Sequence, residues 1–172
     1  MIVLFDPTAY ENLKVIFEGI VYDYDLNEEI TIIERNDYIN LADMSRTYNL
    51  SFMNKNDRNQ LLIMKIELKA NFQQLVAEWY PMNERPGANI NVHFNVNTKL
   101  DEVLEKRVSK FLKKNYEKMY NLEQITNVYQ DQKMTYQFIL KRHEEITENN
   151  MEELHDIVNE TINNGNYLLT ML

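Results

Sequence analysis

The chain has no cysteine among its 172 residues. That absence removes thiol nucleophiles, iron–sulfur clusters, cysteine-ligated zinc and any disulfide framework together. Glycine is nearly as scarce: Gly19, Gly87 and Gly165 stand far apart, so no loop has the clustered glycines with which a backbone cradles phosphate. No segment approaches the roughly 20 consecutive apolar residues that a membrane-spanning helix needs. Residues 1–7 carry no positive charge ahead of their short apolar run, so they do not read as an export signal, and the cytoplasm is the expected location.

What is present has the proportions of a globular chain, with 44 % apolar and 26 % charged residues. A chain this long buries roughly 70 % of its unfolded surface, so one domain is expected, with a core that needs no metal or cross-link. Asparagine is abundant, at 23 residues, without the local clustering of a low-complexity tract. The formal charge of -9 is unevenly spread. Residues 1–53 and 143–172 carry -7 each, whereas residues 98–120 carry +3. Such blocks are ordinarily solvated faces. The alternative is that the basic segment docks against an acidic surface of the same or another chain.

Periodicity predicts the elements. Asp6–Pro7 suits a helix start, and β-branched and aromatic residues crowd the stretch after it, which predicts a short helix over 7–13 and then a strand over 14–24. A turn at 25–28 leads to a strand at 29–35. Alternating segments at 42–53 and 62–68, joined by the polar run 54–59, predict an antiparallel hairpin. Phe72, Leu75, Val76 and Trp79 have helical spacing, although the stretch would also extend the preceding strand. Strict alternation predicts a strand at 90–96, and Thr98 with Asp101 reads as the capping box of a long helix over 98–120. A strand near 133–141, a helix over 150–163 closed by Gly165, and a short final strand or docking tail from Tyr167 complete the chain. Alternating strands imply an antiparallel sheet with one wet face. The expected class is therefore α+β: six to seven strands, mostly antiparallel, packed on two main helices and one or two short ones.

Chemistry-bearing patterns are few. Asp23, Asp25, Asn27 and Glu34 match four ligand positions of an EF-hand calcium loop, but Glu28 stands where that loop needs glycine, and an acidic turn explains the stretch better. His93 lies between Asn91 and Asn95 on the polar side of its strand. Amides with one imidazole would suit a polar pocket, where the histidine acts as a base or a ligand contact; an exposed strand face is the plainer reading. His143 and His155 have no metal-ligand spacing. The segment 79–87 gathers the only tryptophan with Tyr80, two prolines and Arg85, residue types that anchor interfaces. Trp79 plugging the core at a helix end is the alternative. Lys106, Lys110, Lys113 and Lys114 form a basic stripe on the long helix, but the rest of the chain carries -12, a poor setting for nucleic acid.

These features predict a binding or protein-interaction module, not an enzyme, working as a homo-oligomer or with a protein partner, without cofactor or membrane. The competing expectation is a ligand-binding or enzymatic domain whose polar pocket lies between the sheet and the long helix around His93.

Overall fold

The computed structural model describes residues 8–80 and 85–172. These form one six-stranded antiparallel sheet and four α-helices. In chain order they are α1 (Ala9–Leu26), β1 (Ile30–Asn40), β2 (Ser45–Asn54), β3 (Leu62–Ala70), α2 (Phe72–Ala77), β4 (Asn89–Val96), α3 (Glu102–Tyr116), β5 (Tyr120–Val128), β6 (Met134–Arg142) and α4 (Glu153–Leu169). The strands lie in the order β1-β2-β3-β4-β6-β5, so the α+β class and the antiparallel sheet are as expected. Among the described residues no helix is long and apolar enough to cross a membrane.

The core occupies one face of the sheet. Tyr48, Leu50 and Phe52 of β2, Met64, Ile66 and Leu68 of β3, Val92 and Phe94 of β4, and Phe138 and Leu140 of β6 are essentially inaccessible there. Side chains of this size contribute roughly 1.5–3 kcal/mol each when fully buried. The helices supply the other half of that core. Tyr10, Leu13, Phe17 and Val21 of α1 are buried, and Phe17 meets Tyr48 edge-on at 6.1 Å. Tyr116 of α3 lies 6.2 Å from Phe94 and accepts a hydrogen bond from Asn164 of α4. Phe111 of α3 lies over Tyr167 of α4.

Four local expectations are corrected. Residues 14–24 are not a strand: α1 runs unbroken to Leu26, because Tyr10, Leu13, Phe17 and Val21 repeat at the helical period and bury one stripe, which overrides their neighbours' β-propensity. Its expected start at Asp6–Pro7 lies outside the described residues. The long basic helix is shorter than 98–120, since Asp101 rather than Thr98 is its N-cap, accepting the Leu104 amide at 2.7 Å. The segment from Tyr120 to Val128, where periodicity predicts no strand, is the edge strand β5. Gly165 does not end the last helix. It sits inside α4, which continues to Leu169, so the final segment is helix and not strand. A Cβ at Gly165 would come within 2.1 Å of Met64 Sδ on β3. The glycine is there for the close approach of helix to sheet.

Candidate functional site

Alternation along each strand sends the remaining side chains to the opposite face of the sheet, where at one end Asn89 donates to Gln74 of α2 at 3.5 Å. The pairing register arranges them in rows across the strands. One row runs Glu34, Ser51, Lys65, His93, Ile139 and Glu123, and the next runs Asn36, Asn49, Glu67, Asn91 and Lys141. On the other flank Ile63, Asn95 and Gln137 lie abreast. This face is polar, yet it is not flat and wet. Asn49 and Ser51 are only 5 % and 4 % exposed.

A hollow of about 390 Å³ on this face is lined both by Ile33 and Glu34 of β1 and by Tyr129 and Lys133 of the β5–β6 hairpin. Strands spaced about 4.8 Å apart put β1 and β6 about 19 Å apart, so the hollow spans most of the sheet's width. A bulge between Ile32 and Glu34 bends β1 within this rim. Ser51, Lys65, Asn95, Thr135 and Gln137 complete the lining.

His93 is not itself among the lining residues, but Lys65, which is, stands directly across the ladder from it. The histidine is mostly buried among its neighbours, and its Nε2 atom is buried without a hydrogen-bond partner among the described residues. Burial, and after it the Lys65 ammonium, push the imidazole down to about 4; Glu67 opposes the shift and Lys141 adds to it. At neutral pH the ring is uncharged. Its neighbours are already engaged: Asn91 donates to Glu67 Oε1 at 3.0 Å, and Asn36 donates to Asn49 Oδ1 at 3.3 Å.

The expected trio Asn91, His93 and Asn95 therefore shares one face, but not the face toward the helices. A pocket between sheet and long helix around His93 is ruled out by strand alternation, because Val92 and Phe94 fill that side with core. Lys65, Ser51, Lys133 and Gln137 are not singled out by the sequence, and Glu34 is singled out only as a calcium-loop position. Their alternating positions are visible in it, but the strand order that makes them neighbours of His93 is not.

The other candidates are spread over the molecule. Asp23 and Asp25 end α1, Asn27 caps it, and Glu34 stands on β1, so the stretch 23–34 is helix, turn and strand and not one ligand loop. Glu28 does adopt the left-handed backbone, with φ 64°, that a calcium loop reserves for glycine, and its carboxylate holds Lys55. Among the described residues no three histidine or carboxylate side chains converge as metal ligands. Trp79 and Tyr80 are 66 % and 68 % exposed after α2, so Trp79 is not a core plug. Arg85 is also exposed, but residues 81–84 between them lie outside the described set. Lys106, Lys110, Lys113 and Lys114 stand on the solvent side of α3, where Lys106 pairs with Glu102 one turn earlier. Comparison with family models, curated proteins and solved structures finds no match for this chain.

Proposed function

We propose that the protein binds a small hydroxylated ligand bearing one carboxylate in the hollow of its open sheet face, and releases it unchanged. The observation that carries this reading is a 390 Å³ hollow into which two lysines, Lys65 and Lys133, and the amides of Asn95 and Gln137 are gathered. The volume falls within the roughly 300–1,000 Å³ of small-molecule sites.

The lining supports the ligand class. Lys65 and Lys133, with the amides of Asn95 and Gln137, supply donors for a carboxylate, while Glu34 and the amide oxygens accept from hydroxyls. Ile33, Ile63 and the Tyr129 ring offer apolar surface to the carbon skeleton. His93 itself would be a weak base at neutral pH, because burial pushes its imidazole down to about 4.

Thermal unfolding in millimolar sugar acids, neutral sugars and acetate, followed together with the His93 ring resonances, tests the proposal. A sugar acid should raise Tm and move those resonances, neutral sugars should do less, and Lys65→Met with Lys133→Met should abolish both effects. If no compound moves either signal, the reading is wrong. A second reading, protein interaction through the segment after α2, rests on the exposure of Trp79 and Tyr80. Trp79 is the only tryptophan, so a partner seated there would shift its emission to shorter wavelength, and an unshifted emission in every isolated complex would overturn this reading.

A further inference from the structure

The two edges of the sheet are built differently. β1 carries a bulge next to Glu34 and places Arg35 and Asp37 in ion pairs with Glu18 and Lys14 of α1. Bulges and charges are the usual devices that keep an edge strand from pairing with another chain. β5 has no bulge and a single charge. Its nine residues, Tyr120–Val128, run in unbroken register with β6 and contain no lysine, proline or bulge. Its one charge, Glu123, is held by Lys141 of β6.

The hydrogen-bond pattern fixes what this edge presents. Tyr129 N–H donates to the Lys133 carbonyl, and His143 N–H to the Met119 carbonyl, so odd-numbered residues bond toward β6. Leu122, Gln124, Thr126 and Val128 therefore aim their amides and carbonyls outward, where no described strand meets them. Ile125 and Val128 are also exposed, at 43 % and 69 %.

We infer that β5 pairs antiparallel with β5 of a second copy of this chain, across a two-fold axis at Ile125, joining two six-stranded sheets into one. The register is chosen by its side chains. An axis at Glu123 would oppose two carboxylates, whereas an axis at Ile125 sets Ile125 against its own copy, Leu122 against Val128 and Gln124 against Thr126. Each of these pairs keeps both members on one face and matches outward amides to outward carbonyls. A strand that satisfies its own edge needs no other partner chemistry, and the arrangement closes as a two-fold. It rests on the edge alone and does not depend on the ligand proposed for the open face.

The cysteine-free chain gives a register-specific test. Ile125→Cys places one thiol per chain at the axis in a close, non-hydrogen-bonded pair and should oxidise to a covalent dimer, while Asn121→Cys, away from the axis, should stay monomeric on a denaturing gel. In light scattering at high micromolar concentration the native chain should show twice the chain mass. Ile125→Lys, which opposes two ammonium groups, and Thr126→Pro, which removes an outward amide without breaking the β6 ladder, should both return it to one chain mass. Circular dichroism should be unchanged for Ile125→Lys, because Ile125 is not in the core. Ile39→Lys on the β1 edge should leave the dimer intact. A native chain monomeric at that concentration overturns the inference, as does a dimer that survives Ile125→Lys.

Discussion

The two faces of the sheet are made by the same strands and alternate residue by residue, yet they obey different physics. Toward the helices, Val92 and Phe94 are inaccessible and belong to the apolar core. One residue away, His93 and Asn95 point to the opposite face among amides and charges, and Asn95 lines a hollow there. The first face is ordered by close packing, where volume is the controlling quantity. The second is ordered by hydrogen bonds, and a buried polar atom can be left unpaired there because the packed face supplies the stability. The helix layer carries the fold and leaves the open face available for binding.

The sharpest way to break this contrast is a matched pair of truncations. Phe94→Ala should cost about 3–5 kcal/mol in urea unfolding, while Asn95→Ala, next along the same strand, should cost less than about 1 kcal/mol. Equal losses would show that the open face is also core.

Acid should act on the open face. The folded-state value of His93, about 4, lies below the ordinary 6.5, so between those limits the unfolded chain binds a proton that the folded chain does not. Stability contributed by the neutral ring is complete above pH 6.5 and is lost as pH falls toward 4, by at most about 3 kcal/mol. His93→Gln should flatten the stability curve across that window. Asp37, which the Arg46 guanidinium holds below its ordinary range, loses its contribution at lower pH, so the two effects separate.

On the helix side, Gly165→Ala should cost about 1–3 kcal/mol by crowding Met64. In a Met64→Ala background the added cost should largely vanish, and a double-mutant cycle measures that coupling. The smallest effect belongs to the exposed stripe of α3, where Lys110→Gln should change stability by no more than about 0.5 kcal/mol.

Much of this architecture is legible in the residues. Alternation over 62–68 and 90–96 specifies strands and their apolar faces, and the stripe Val108, Leu112 and Tyr116 marks a helix, because burial imposes a period on the side chains. α1 is ambiguous in sequence because two periods overlap there: Val15 and Ile16 favour a strand locally while Leu13, Phe17 and Val21 pack as a helix. β5 leaves no signal because an edge strand buries little: only Tyr120 is fully covered, and most of its remaining residues are exposed, so no clear burial pattern reaches the sequence.

The residues by themselves determined the class, the absence of thiol and glycine-loop chemistry, and the polar character of the Asn91–His93–Asn95 side of β4. Tertiary structure alone decided that this side faces away from the helices, that Lys65 stands across from His93, and that β1 and the β5–β6 hairpin meet over one hollow. The reason is that periodicity fixes how side chains divide between two faces, whereas strand order and register are set by contacts between segments distant in sequence. The two acidic ends of the chain illustrate the same point. They come together where α1 packs on α4, with Tyr24 donating to Asn159, an arrangement that no local pattern encodes.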